Sequence, residues 1–176
     1  MNRAVFLDRD GVINRACVRD GKPYPPAGAA EIEIFPGVPQ ALTALREAGF
    51  LLIVVTNQPD VARGTTSRKT VEEINNHLAA SLAIDEFRTC FHDNSDGCNC
   101  RKPLPGALLA AAKARNIDLA NSYMVGDRWR DIEAGQRAGC KTIFIDYGYT
   151  EKQPGRPDHR VRSLPEAAQI ILGEMK

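Results

Sequence analysis

A doubly wound, Rossmann-like α/β fold, a parallel sheet with helices on both faces, is the architecture that this sequence predicts. Three observations predict it. Short Val- and Ile-rich apolar runs alternate with longer amphipathic segments along the 176 residues, as strand–helix units require. Gly, Asp or Asn bounds the runs, the punctuation of strand ends. Acids and hydroxyls recur just past the runs, where an open parallel sheet forms its ligand crevice.

Taken in order, the first strand covers residues 4–7 and runs into Asp8-Arg9-Asp10-Gly11. Residues 15–36, with Pro23, Pro25, Pro26, Gly28 and Pro36, read as a loop insertion beside the crevice. A helix over 38–48 follows Pro36-Gly37 and stops at Gly49. The strand 51–55 delivers Thr56 and Asn57. A helix over 68–82 opens after Thr66-Ser67, a suitable N-cap, with Glu72 and Glu73 in its early turns. After a helix over 107–115, the strand 123–125 ends at Gly126-Asp127. A helix over 131–138 stops at Gly139, and the strand 142–145 follows. Residues 151–162, polar and holding Pro154, Gly155 and Pro157, read as an exposed loop before a last helix over 165–172. There is no internal repeat or linker, so residues 1–176 are read as one domain.

Composition narrows the function classes. Hydrophobic residues make up 43% and charged residues 26%, as in ordinary globular proteins. A chain of this length buries roughly 70% of its unfolded surface and needs no disulfides. Lys plus Arg total 23 against 22 Asp plus Glu, a balance that argues against nucleic-acid or membrane partners. The longest apolar run, 50–55, is far short of the ~20 residues that span a bilayer. Asp8 interrupts the opening before a signal-peptide apolar region forms. Five cysteines are odd for a secreted disulfide framework and fit a reducing compartment better. The expectation is a cytoplasmic monomer.

The chemistry-bearing residues gather at the strand ends. Extended geometry turns residues two apart to the same side, so Asp8 and Asp10 face one site, and Gly11 permits a sharp turn beyond them. Neighbouring carboxylates repel unless a cation or a shared proton compensates. Mg²⁺, with its preference for oxygen ligands, meets that demand. Asp127, and Asp131 four residues on, bring acid from another strand end. Taken alone, Asp-x-Asp-Gly is equally a capped turn. Joined by Thr56 and Asn57 as donors and Lys102 as a cation, it meets the requirements of phosphoryl transfer: an anionic nucleophile, a metal, hydrogen-bond donors and positive charge.

The set Asp8-x-Asp10-Gly11-Val12, Thr56-Asn57-Gln58, Lys102 and Gly126-Asp127-Arg128-x-x-Asp131 resembles the four motifs of the haloacid dehalogenase superfamily of phosphatases, in order, across residues 8 to 131. The resemblance implies that Asp8 is the nucleophile and becomes an aspartyl-phosphate. Asp10 would protonate the leaving alcohol and then activate water, so it must hold a proton near neutral pH. Thr56 and Lys102 would bind the phosphate, with Asn57 and Gln58 beside them. Asp8, the backbone carbonyl of Asp10, and Asp127 would hold Mg²⁺, while Asp131 would support Lys102.

Cys90, His92, Cys98 and Cys100 lie close in sequence and offer a full tetrahedral Zn²⁺ set with no vacancy for water, hence a structural ion. The alternative is buried free thiols and an exposed histidine. Arg101-Lys102-Pro103 follows Cys100 at once, so zinc would stiffen the loop that presents the lysine. This arrangement is similar to the zinc-bearing branch of the superfamily, which includes heptose bisphosphate and histidinol-phosphate phosphatases. Thr56-Asn57-Gln58, Val61-Ala62-Arg63-Gly64 and Pro105-Gly106 resemble the heptose group. The short His92–Cys98 interval is more like the histidinol group, and Pro59-Asp60 stands where the heptose group has Ser-Gly.

The branch implies a phosphorylated small-molecule substrate: a heptose 1,7-bisphosphate losing its 7-phosphate first, histidinol phosphate second. Neither the interval from Asp10 to Thr56 nor that from Thr56 to Lys102 has room for a cap domain, so loops must select the substrate. A second phosphate needs its own cation, and Arg63, Arg101, Arg128 and Arg130 are candidates, Arg101 foremost. A polynucleotide phosphatase would need a basic groove that the charge balance disfavours. A non-catalytic zinc-stabilised binding module would lack one of Asp8, Asp10, Lys102 or Asp127; all four are present.

Overall fold

In a computed structural model that describes residues 1–175, the first strand, β1 (Arg3–Leu7), serves two cores at once. Val5 and Leu7 enter one buried cluster, and Ala4 and Phe6 enter another. That division follows from the two-residue period of a strand covered on both faces. The chain continues through β2 (Cys17–Arg19), β3 (Lys22–Tyr24), α1 (Val38–Glu47), β4 (Phe50–Asn57), α2 (Arg68–Ser81), β5 (Glu86–Cys90) and α3 (Gly106–Arg115). It ends with β6 (Tyr123–Gly126), α4 (Trp129–Ala138), β7 (Lys141–Ile145), β8 (His159–Val161) and α5 (Leu164–Gly173). Six strands form one parallel sheet in the order β5-β4-β1-β6-β7-β8. Leu42 and Leu45 of α1, Ile74 and Leu78 of α2, and Ile171 of α5 cover the face of Val5. Leu108 of α3 and Ala134 of α4 cover the face of Phe6. This is the doubly wound α/β class expected from the sequence.

Local signals set the helix ends. Ser67 caps α2 by accepting from the Thr70 amide at 3.0 Å, and Gly139, at φ 85°, terminates α4. From β1 the chain builds outward through β4 and β5, then returns to β6 on the other side of β1. The strand order therefore reverses at β1, which is where such sheets bind ligands.

Two segments differ from the sequence reading. Residues 15–36 are more than a loop: they carry the antiparallel hairpin β2–β3. Its turn is Asp20-Gly21, with φ 50° and 72°, the positive-φ pair that a tight hairpin needs. Residues 151–162 end in β8, which pairs with β7 at the sheet edge. Among the described residues there is no separate cap domain, and no helix is long and apolar enough to cross a membrane.

Candidate active site

The ends of β1, β4 and β6 meet around one lysine. Lys102 is 2% exposed, and its Nζ donates to Asp8 Oδ1 at 2.9 Å and to the Val55 carbonyl at 2.6 Å, and lies 2.7 Å from Asp131 Oδ1. Burial works against the charge on this amine, but Asp131 and Asp8 outweigh it and hold the lysine protonated above its usual range. Burial foremost, then the Asp131 charge, pushes Asp8 up to about 6 against the pull of Lys102. Burial and the charges of Asp8 and Asp131 also raise Asp127 well above the usual carboxylate range.

Two glycines make this crowding possible. A Cβ on Gly11, at φ 87°, would stand 1.9 Å from Asp127 Oδ2, and one on Gly126 would stand 2.1 Å from Asp131 Cβ. The Asp-x-Asp-Gly turn and the Gly-Asp strand end thus approach through positions that have no side chain.

The residues present fit a divalent cation. Carboxylate oxygens of Asp8, Asp127 and Asp131 lie within 4.8 Å of one another, and one lysine cannot balance three acids. Asp127 Oδ1 is buried with no hydrogen-bond partner, a group that costs about 1–3 kcal/mol unless something pairs with it. A hard oxygen-seeking ion satisfies both demands. Asp131 is differently engaged, since its two oxygens already meet Lys102 Nζ and the Arg128 amide.

Asp10 lines the same cleft as Asp8 but is not one of the three clustered acids. Its carboxylate accepts from Arg9 Nε (3.2 Å) and from the second terminal nitrogen of the Arg9 guanidinium (3.0 Å), and also from Asn14 Nδ2 and Gln58 Nε2 (3.0 Å each). Arg9 itself is completely buried and also donates to Asn75 Oδ1 at 2.9 Å. Gln58 donates to Thr56 Oγ1 at 2.9 Å as well, so it links the two side chains, and it is buried beneath the cleft instead of lining it. Asn57 also differs from the expected free donor. Its Nδ2 donates to the Lys102 carbonyl and its Oδ1 accepts from the Lys102 amide, stitching the lysine loop to the end of β4.

These groups open on a cleft of about 360 Å³ lined by Asp8, Asp10, Thr56, Lys102 and the hairpin residues Lys22–Tyr24. Arg63, Arg101, Arg128 and Arg130 all reach it. Arg63 is forked onto Asp93 at 2.8 Å, and Arg128 is paired with Glu151. Arg101 donates to Asn94 Oδ1 and the His92 carbonyl, and Arg130 lies over the Trp129 ring. Among the described residues neither of these two has a carboxylate partner.

Sequence reasoning missed Arg9, Asn14, Tyr147, Tyr149 and Glu151. Tyr149 Oη donates to Asp127 Oδ2 and Tyr147 Oη to the Gly11 carbonyl, each at 2.9 Å. The strand-end rule applied to β7, followed at once by Asp146-Tyr147-Gly148-Tyr149, would have drawn attention to both tyrosines.

The four thiol and imidazole ligands also converge. Cys90 Sγ lies 3.5 Å from His92 Nδ1, 3.7 Å from Cys98 Sγ and 3.2 Å from Cys100 Sγ, and His92 Nδ1 lies 3.3 Å from Cys100 Sγ. Tetrahedral bonds of ~2.3 Å to sulfur place ligand sulfurs about 3.7 Å apart, so the cluster is already near zinc dimensions. Burial and the Cys100 thiol push Cys90 up to about 12; a bound dication reverses this by stabilising the thiolate. Purified protein is expected to carry about one zinc per chain by elemental analysis. Stripping it is expected to lower the thermal midpoint by several degrees, about 2–4 °C for each kcal/mol lost, and to lower any turnover that depends on Lys102. Full retention of both after complete removal would contradict a structural ion.

A family model described as haloacid dehalogenase-like hydrolase matches residues 15–139. A Bordetella bronchiseptica protein named D-glycero-beta-D-manno-heptose-1,7-bisphosphate 7-phosphatase is 34% identical over 173 residues, covering 96% of this chain and 91% of its own. Among solved structures, the D,D-heptose 1,7-bisphosphate phosphatase of B. bronchiseptica, complexed with magnesium and phosphate, superposes with a TM-score of 0.80. It is 30% identical and covers 98% of this chain and 99% of its own. A putative HAD-like phosphatase from Mesorhizobium loti gives a TM-score of 0.78 at 29% identity, covering 99% and 87%.

Proposed function

The chain belongs to the haloacid dehalogenase-like hydrolases, and from that premise we propose that it is a Mg²⁺-dependent phosphatase removing the 7-phosphate of D-glycero-D-manno-heptose 1,7-bisphosphate. The observation that carries the reading is the buried knot of Asp8, Lys102, Asp127 and Asp131 beneath a single arginine-rimmed cleft. It works as one domain over residues 1–176. It is taken to act as a monomer, and five unpaired cysteines suit a reducing cytoplasm.

In this reading the Asp8 carboxylate attacks phosphorus in line with the leaving oxygen. Both hydrogen bonds to Asp8, from Lys102 Nζ and the Arg9 amide, fall on Oδ1, which leaves Oδ2 without a donor. In this structure both Asp10 oxygens accept hydrogen bonds, from Arg9, Asn14 and Gln58, so Asp10 must exchange one of them for a proton before it can give that proton to the departing sugar hydroxyl as the P–O bond breaks. It then takes a proton from the water that attacks the aspartyl-phosphate and regenerates Asp8. Thr56 and Lys102 steady the phosphoryl oxygens. Asp8, Asp127 and the Asp10 carbonyl would hold Mg²⁺, which supplies charge neutralisation for the oxygens of the transferring group. Asp131 orients Lys102.

The second phosphate is met at the rim. Arg101 and Arg130 lack carboxylate partners, and burial together with repulsion from Arg101 and Arg128 weakens the Arg130 proton affinity, so an anion between them relieves the strain. Arg63 and Arg128 reach the same space from their ion pairs.

The test compares kcat/KM for the two anomers of heptose 1,7-bisphosphate with that for histidinol phosphate, with Mg²⁺ and with EDTA. A preference of at least about 10²-fold for a bisphosphate, the scale of one or two charge-assisted hydrogen bonds at about 1.5–3 kcal/mol each, supports the reading. A preference for histidinol phosphate replaces it with the histidine-pathway activity.

A further inference from the structure

The segment after β7 is joined to the site at successive positions. Tyr147 Oη donates to the Gly11 carbonyl at 2.9 Å, Tyr149 Oη to Asp127 Oδ2 at 2.9 Å, and the Thr150 amide to the Gly21 carbonyl at 3.0 Å. Glu151 accepts from Arg128 Nε at 3.1 Å. The rings of Phe35, Tyr147 and Tyr149 form a continuous row, with centroids 6.2 and 5.6 Å apart. The tyrosines are therefore fixed by aromatic packing, and Tyr149 also by backbone and ion-pair anchors on the next two residues.

We infer that Tyr149 is a positioning residue for the divalent cation, setting the orientation of the Asp127 carboxylate through Oδ2. Asp127 offers two oxygens in a buried setting. Tyr149 occupies Oδ2, while Oδ1 has no partner. A carboxylate pinned at one oxygen cannot rotate freely, so the other is presented to the ion in a single pose, close to Asp8. Donors to ligating carboxylates are the outer partners that fix metal sites, and losing one typically costs about 10–100-fold in metal affinity. The inference rests on the reading that Asp127 is a metal ligand.

Calorimetric titration with Mg²⁺ alone, on the full chain, tests both statements and separates them. Tyr149→Phe keeps the ring and is expected to weaken Mg²⁺ binding about 10–100-fold. The Mg²⁺ concentration for half-maximal turnover should rise to match, with kcat at saturating Mg²⁺ within about twofold of the parent, the split expected when only metal binding is changed. Asp127→Asn is expected to abolish the binding heat. If Tyr149→Phe binds Mg²⁺ like the parent while Asp127→Asn does not, the positioning role fails and the functional reading stands. A loss of kcat that saturating Mg²⁺ does not restore also overturns the positioning role. If Asp127→Asn still binds, or the parent binds no Mg²⁺, both fail. Should Tyr149→Phe not fold, Glu151→Asp, which keeps the charge beside Arg128 while shortening the anchor of the segment, should shift Mg²⁺ affinity in the same direction by a smaller factor, and an unchanged affinity there counts against the inference.

Discussion

Asp8→Asn is expected to lower kcat/KM for the bisphosphate by a factor on the order of 10⁴–10⁶, the scale of removing a covalent nucleophile. The amide keeps an oxygen for Lys102 Nζ and the Arg9 amide, so the surrounding geometry survives while the attacking anion is gone. Stability is expected to move the opposite way. Burial pushes the Asp8 carboxylate up to about 6 in the folded protein, above its unfolded value. The folded state therefore binds more protons than the unfolded state between these two values, and stability falls as pH rises through that window. At pH 7 the ionised form then costs the metal-free protein on the order of 2–3 kcal/mol, and Asn removes that cost. Mg²⁺-dependent turnover is measured by phosphate release, and stability by urea unfolding in EDTA. Activity within tenfold of the parent would dismiss Asp8 as the nucleophile.

Lys102→Met carries the second large effect, and here activity and stability fall together. The ammonium is the only cation in contact with both Asp8 and Asp131 among the described residues, and it is buried with them. Methionine fills much of the same space and leaves two buried carboxylates without their counter-charge, a change that typically costs about 3–5 kcal/mol. Denaturant unfolding at pH 7 is the measurement. The deficit should shrink on acidification, because protonating the carboxylates removes the charges left unpaired. Saturating Mg²⁺ should restore part of it by binding only the folded chain. A variant as stable as the parent at neutral pH would mean that the lysine is not balancing these acids.

The strands that carry the chemistry were legible because burial on both faces makes them uniformly apolar. Residues 4–7, 51–55, 123–125 and 142–145 match β1, β4, β6 and β7 closely, and the acids at their ends follow from the parallel arrangement. The edge strands are harder to place for the complementary reason: a strand is expected between Thr56 and Lys102 without definite bounds, and β8 is read as loop. In β5, Glu86 to Thr89 are all half-buried and mixed in polarity, and β8 has three residues with only Val161 buried. The hairpin was readable in principle, since Asp20-Gly21 is a strong turn signal, but the surrounding prolines drew the reading toward an irregular loop. At the site, residue types such as Asp8, Lys102, Asp127 and the Cys-His set announced themselves by chemistry. Asn57, Arg9 and Tyr149 act through the residue they touch, and a contact between positions far apart in the chain has no local signature.

The double amide link between Asn57 and the Lys102 backbone has a consequence for where the cleft can change. The reactive centre is riveted to the innermost strands, whereas the rest of the cleft lining is peripheral: the β2–β3 ribbon and the arginine rim. Changes confined to those outlying pieces leave the Asn57–Lys102 link and the acids beneath it in place, so the reach of the cleft can be altered without moving the groups at its floor.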